Sequence, residues 1–383
     1  MKIGIVCYPT YGGSGVVATE LGKALAAKGH QVHFITYSQP VKLDVFTPNI
    51  FYHEVIVSDY PLFEYAPYEV VLSSKMVDVV KYEKLDVLHV HYAIPHASAA
   101  YMAKQILASQ GIHIPFITTL HGTDITLLGK DASFEPAITF AMNQSDAITA
   151  VSENLKADTY KYFSIKKDIH VIPNFISFEK YTNEKNECSK KMYAPYGEKI
   201  LIHVSNFRKV KRVEDVLRIF QKVSAEIPSK LLLVGDGPER SNIEKLCREL
   251  NTCGNIIWLG KLRDTEQVLR IADLFLLTSE TESFGLAALE AMASKVPVVS
   301  TNTGGIPEVN IHNYSGTLSN VGDVDDMAKN AIYILSDEKR LEQFKENAFT
   351  QAQKFDIEKI LPIYESLYLQ VVEVHKKNNL QNA

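Results

Sequence analysis

The sequence predicts an α/β protein made of two doubly wound domains whose strand ends face a central cleft. Three observations carry this prediction. Short apolar runs alternate with amphipathic helical patterns along most of the chain, which implies mainly parallel sheets with helices on both faces. The alternation breaks at the polar stretch Thr182-Asn-Glu-Lys-Asn-Glu-Cys-Ser-Lys-Lys191 and then restarts. The length, 383 residues, suits two domains, since ~100–200 residues per domain is usual.

In the first half, strands are predicted at Ile3–Tyr8, Gln31–Tyr37, Val87–His91, Phe116–Leu120, Ala147–Val151 and Ile169–Ile172. The loop Pro9-Thr-Tyr-Gly-Gly-Ser-Gly15 leads into a helix over Val16–Lys28, with Val17, Leu21 and Leu25 on one face and Gly29 as its stop. The polar turn after Asn174 separates domains at 1–175 and 176–356. The second half repeats the pattern, with strands at Ile200–Val204, Leu231–Val234, Ile256–Leu259, Leu274–Leu277 and Val296–Val299. Helices are predicted near 213–225, 239–250, 265–272 and 284–293. Asp325–Leu335, Glu338–Lys354 and Ile357–Lys376 close the chain.

Composition narrows the function. A net charge of −5 and a pI near 6.2 argue against general binding to nucleic acid or anionic membrane. No apolar run reaches the ~20 residues of a membrane span, and Pro9 breaks the N-terminal apolar run too early for a signal peptide. Cys7, Cys188, Cys247 and Cys253 are scattered, without metal-type spacing, and Cys7 is expected to pack as a small hydrophobe. That pattern suits a reducing cytoplasm.

The residues able to do chemistry follow predicted strands. Glu282-Ser-Phe-Gly-Leu-Ala-Ala-Leu-Glu290 runs from a loop into a helix. A helix N-terminus offers unpaired N–H groups and a positive dipole end, so the amides of Phe284, Gly285 and Leu286 suit a diphosphate. The flanking acids suit the sugars on either side, Glu282 accepting from hydroxyls and Glu290 holding a ribose diol. Ser205-Asn-Phe-Arg-Lys-Val-Lys-Arg212 concentrates cations in one loop. Arg208 and Lys211 are its candidates for gripping phosphate, the first by its fork and the second as a point charge.

Gly235 admits either a close ligand approach or a plain tight turn, and Leu262 lies in a loop suited to backbone contacts with a base. In the first half, His121-Gly-Thr-Asp124 ends a strand and places His121 toward a sugar hydroxyl. The Gly13 loop matches neither a dinucleotide fingerprint nor a Walker A sequence, since no Lys follows its glycines. A metal site at His89 and His91 lacks supporting carboxylate spacing, and a serine hydrolase lacks its G-x-S-x-G elbow.

With these residues placed, the chain resembles over essentially its full length the retaining glycosyltransferases of family 4. Glu282 and Glu290 form that family's E-x7-E signature, and Lys211 stands where its phosphate-gripping Lys lies. Many members carry Arg where this loop has Asn206, and Arg208 is the substitute here. Four further stretches resemble a malate-glycosylating branch of the family: Tyr11–Lys23, His89–His96, Thr118–Thr126 and His203–Val213.

The resemblance implies a GT-B fold of two Rossmann-like domains, with a C-terminal helix at about 357–383 crossing back to the first. It implies transfer of N-acetylglucosamine from UDP-N-acetylglucosamine to L-malate with retention, the first step of bacillithiol biosynthesis, without a metal. His121, Arg208, Lys211 and Glu282 are then the catalytic set. Gly13, Asn206, Gly235, Leu262, Phe284, Gly285, Leu286 and Glu290 complete the donor site; Gly13, Ser14, Tyr92, Thr119 and His121 form the acceptor site. The alternatives are another acceptor (a sugar or a lipid-linked phosphate), a sugar-nucleotide epimerase of the same fold, and a non-catalytic nucleotide-sugar sensor. A homo-oligomer is compatible with the sequence.

Overall fold

The computed structural model describes residues 1–10, 12–44, 46–57, 64–127, 131–181 and 187–381. They fall into two compact units, Met1–Asn174 with Ile357–Ala383, and Phe175–Asp356.

The first unit opens with β1 (Lys2–Val6), α1 (Gly13–Ala27), β2 (Gln31–Thr36), β3 (Ile50–Glu54) and α2 (Tyr68–Glu83). It continues through β4 (Val87–His91), α3 (Ser98–Ala108), β5 (Phe116–Leu120), α4 (Glu135–Gln144), β6 (Ala147–Ala150), α5 (Glu153–Tyr162) and β7 (Ile169–Val171). The strands form one parallel sheet in the order β3-β2-β1-β4-β5-β6-β7. Because a parallel sheet is covered on both faces, its central strands are buried from end to end. Leu72, Met76 and Val80 of α2 pack with Leu88, Val90 and Phe116 of the sheet in one core.

The second unit begins at α6 (Glu187–Tyr193), β8 (Lys199–Val204), α7 (Val213–Glu226), β9 (Ser229–Val234), α8 (Arg240–Glu249) and β10 (Ile256–Gly260). Then come α9 (Glu266–Leu269), β11 (Leu274–Leu277), α10 (Leu286–Ala293), β12 (Val298–Thr301), α11 (Ile306–Val309), β13 (Gly316–Ser319), α12 (Val324–Leu335) and α13 (Glu338–Ala352). Its six parallel strands run β10-β9-β8-β11-β12-β13. On α7, Val213, Val216, Leu217, Phe220 and Val223 recur at helical spacing and are all buried. At about 1.5–3 kcal/mol per buried apolar side chain, that face fixes the loop entering α7, which carries Lys211.

The last helix, α14 (Ile357–Gln381), belongs to the first unit. It is anchored by Tyr364 and Tyr368, both fully buried, and by Glu365, 2.9 Å from His30.

Several elements differ from the expected ones. β3 and β13 were not foreseen. β12 begins at Val298 rather than Val296 because Pro297 has no N–H to give the ladder. α10 begins at Leu286 rather than Phe284, since Gly285 takes φ +93° outside the helical range. The helix expected over 265–272 is the single turn of α9. The cysteines are less scattered in space than in sequence. After α8 the chain turns back, with the Thr252 N–H donating to the Cys247 carbonyl, and Cys247 and Cys253 form a disulfide. Cys7 is fully buried in apolar surroundings, which push its thiol up to about 12.

Candidate active site

In an open parallel sheet the strand order reverses once, and the loops leaving the two strands at that point diverge and leave a crevice. In the second unit the reversal lies between β8 and β11. The loop after β8 carries the cations, and the loop after β11 carries Glu282. They meet: the Lys211 ammonium donates to Glu282 Oε1, which also accepts from the Ser279 hydroxyl at 2.9 Å. The Thr278 hydroxyl ties the loops together by donating to the carbonyls of Lys211 (2.9 Å) and Arg212 (3.0 Å), and the Glu280 N–H donates to the Val210 carbonyl at 2.8 Å.

The third wall is the loop after β12. Gly304 has φ +56°, and a Cβ there would lie 1.9 Å from the Glu282 carbonyl oxygen. That oxygen instead accepts from the Gly305 N–H at 2.9 Å. Only glycine lets the two backbones approach so closely, and this approach sets the position of Glu282.

The other expected donor residues of this unit lie on the loops after β8, β9, β10 and β11 and on α10. Gly285 caps α10 without a side-chain hydrogen bond, and the first-turn amides from Leu286 onward lie outside the helix's own ladder. Phe284 contributes only backbone, because its ring is buried edge-on against Phe355. Glu290 is half-buried on α10. Asn206 and Arg208 are exposed, and Arg208 makes no ion pair among the described residues. Gly235 is explained by packing: a Cβ there would meet the Ser205 carbonyl at 1.8 Å. Its N–H donates to the Gly260 carbonyl (2.7 Å), which draws in the loop holding half-buried Leu262. His203, buried on β8, is pushed down to about 4 by burial and bonds the Leu276 carbonyl and the Ser205 hydroxyl.

The first unit repeats the device. Its reversal lies between β1 and β4. Gly13 starts α1 after β1, Ser14 follows it, and Tyr92 follows β4. The Tyr92 hydroxyl donates to Ser14 Oγ at 2.9 Å. Burial pushes Tyr92 up to about 12, so it remains a donor at neutral pH. α1, like α10, has a glycine cap (Gly12) with no side-chain hydrogen bond.

His121, at the end of β5, pairs with His91 across 2.8 Å, and its ring lies 5.3 Å from that of Tyr92. Burial lowers His121 to about 3 and His91 well below its ordinary range, so both are neutral. His96 donates from Nδ1 to the His91 carbonyl. Asp124 is fully buried and accepts from the N–H groups of Ala93 and Gly122, both at 3.0 Å. Thr119 is not at a ligand surface. Its hydroxyl is buried within the sheet and is engaged by His89 and by Thr149, both at 2.6 Å. His89 in turn reaches the Tyr368 hydroxyl at 2.7 Å.

Sequence reasoning named Lys211 and Glu282 separately, but not their contact. It also missed Ser279, which donates to Glu282, and His91, which pairs with His121. Residues His91 and His121 alternate with Val and Leu at the ends of predicted strands, a signal that becomes legible only once β4 and β5 are known to be neighbours.

Comparison with known proteins identifies the family. Residues 11–180 match the model for Glycosyltransferase Family 4, and residues 184–351 match Glycosyl transferases group 1. The chain is 48% identical over 382 residues to the N-acetyl-α-D-glucosaminyl L-malate synthase of Bacillus anthracis, covering 99% of this chain and all of that one. It also resembles, at 25% identity over 59% of its length and 54% of the relative's, the α-monoglucosyldiacylglycerol synthase of Streptococcus pneumoniae. Among solved structures, sucrose-phosphate synthase from Thermosynechococcus elongatus superposes with a TM-score of 0.80 at 20% identity, over 98% of this chain and 100% of that one. Anabaena HepE, solved with UDP-glucose, gives 0.79 at 19%, over 98% and 100%. The chain belongs to the family 4 glycosyltransferases and has their GT-B fold.

Proposed function

We propose that this glycosyltransferase moves N-acetylglucosamine from UDP-N-acetylglucosamine to the hydroxyl of L-malate, with retention at the anomeric carbon. The full-length 48% identity to an N-acetyl-α-D-glucosaminyl L-malate synthase carries the choice of substrates. The site residues support it chemically. Tyr92 donates to Ser14, which leaves the Ser14 proton and the uncapped amides of α1 for an acceptor carboxylate. In the second unit, Lys211, Arg208 and the first-turn amides of α10 serve the diphosphate, Glu282 the sugar and Glu290 the ribose.

The bond from C1 of the sugar to the phosphate oxygen breaks, and UDP leaves with the electron pair. The malate hydroxyl oxygen bonds to C1 on the same face and passes its proton to the departing phosphate oxygen. Catalysis is then positioning and charge stabilisation rather than side-chain acid–base work. Lys211 and Arg208 supply the neutralising charge, so on this reading the transfer needs no metal, and the protein works in the cytoplasm.

Mass spectrometry of products from purified protein, UDP-N-acetylglucosamine and L-malate tests the proposal, with UDP release followed in parallel and the linkage read by NMR. An α-linked malate glycoside, formed at a rate independent of added Mg²⁺, is expected. UDP release that ignores malate would remove malate as the acceptor. Silence from folded protein would remove the donor.

A further inference from the structure

A second polar cluster lies at one edge of the first unit's sheet, on elements that carry none of the candidate active-site residues. His33 on β2 is buried in the sheet, and its Nδ1 lies 2.9 Å from Nε2 of His53 on the edge strand β3. The register sets this up. His33 pairs with Phe51, so His53 is the next residue on the same face of β3. Glu83, the last residue of α2, closes the group. One potential ligand atom from each of the three lies within 4.8 Å of the other two.

An ordinary histidine contact in a sheet has no need of a carboxylate brought in by a separate helix. We propose that His33, His53 and Glu83 form a binding site for a divalent transition metal, with zinc as its natural occupant. Two imidazoles and one carboxylate are a zinc donor set. Tetrahedral bonds of about 2.0–2.1 Å separate ligand atoms by about 3.3 Å, so the histidine pair opens by only a few tenths of an ångström to admit the ion. A water completes the shell.

The neighbouring charges permit it. Lys75 faces Asp78 at 3.9 Å, and the Lys2 ammonium is held by the Glu83 carbonyl at 2.8 Å rather than by its carboxylate. His53 and Glu83 are half-buried, which leaves the ion a path from solvent. The ion would clip the edge strand to β2 and α2, a structural role separate from sugar transfer.

The test titrates metal-free full-length protein with Co²⁺ and follows the visible absorption of tetrahedral cobalt, then displaces it with Zn²⁺. One ion per chain is expected, together with an upward shift of the melting transition in Zn²⁺. His53→Ala and Glu83→Gln should each weaken Co²⁺ binding by about 100-fold or more, the loss of a direct ligand exceeding the 10–100-fold cost of losing an outer one. Glu83→Gln keeps the side chain's shape and the Lys2 contact, so its melting in chelator should match the parent. His170→Ala, at an exposed histidine on β7, should bind as the parent does. No stoichiometric ion, or an ion kept by both His53→Ala and Glu83→Gln, would overturn the site.

Discussion

Lys211 holds a half-buried ammonium against a half-buried carboxylate, with Ser279 as that carboxylate's second donor. In the resting protein Glu282 balances the charge. If Lys211 serves the diphosphate as proposed, the same ammonium is available to the developing negative charge as UDP leaves, the condition under which such groups contribute most. Lys211→Ala should lower kcat by about 100–1,000-fold, while thermal melting followed at Trp258 shows the second unit still folded. A loss below 10-fold would remove Lys211 from the transition state. Ser14 offers a milder test. On the proposed acceptor role, Ser14→Ala deletes one hydrogen bond to malate, so KM for malate should rise about 10-fold, near the value of about 1.4 kcal/mol for one such bond. UDP affinity, measured by calorimetry, should stay unchanged; a shift in it would place Ser14 on the donor instead.

At the scale of elements, the helices and strands that make the site were legible because each is long or strongly apolar. β3 and β13 were not. Both are edge strands, half exposed or glycine-led, and neither shows a clean period. The order of strands was equally hidden. Ser14 with Tyr92 and Lys211 with Glu282 are 78 and 71 residues apart in sequence, and only the reversal points at β1/β4 and β8/β11 bring them together. The role of Thr119 was misjudged for a related reason. Its strand position was right, but the depth of β5 in the sheet was not visible. α14 shows how one helix carries contacts of unequal weight. The Tyr368 hydroxyl is the buried partner of His89, so Tyr368→Phe leaves a buried ring nitrogen unsatisfied and should cost about 1–3 kcal/mol. Glu365→Gln alters only a partly exposed pair with His30 and should cost under about 1 kcal/mol. Urea midpoints by circular dichroism rank the two, and equal costs would mean that α14 is held by packing alone.

Across the whole molecule the two units differ in how they store histidine. The first fully buries His89, His91 and His96, and burial lowers His89 to about 3, His96 to about 4 and His91 further. The second buries His203 alone, lowered to about 4. A histidine neutral in the folded state and free to protonate when unfolded gives stability that is present above its unfolded value near 6.5. That stability is lost as pH falls toward the folded value. Between pH 7 and 5.5 these three histidines of the first unit and His121, which burial also lowers to about 3, should therefore cost on the order of 5 kcal/mol, against on the order of 1 kcal/mol for the second. His33 acts in the same direction. Asp124, raised by burial, acts in the opposite sense, but only nearer its own lower range. The chain has a single tryptophan, Trp258, and it lies in the second unit. Its fluorescence follows that unit, whereas far-ultraviolet circular dichroism follows both. Urea unfolding at pH 7.5 and 5.5 should show the dichroism midpoint falling further than the tryptophan midpoint as acid is added. If both fell equally, the buried histidines would not set the acid stability of the first unit, and the imidazoles of β4 would have to be charged in the fold.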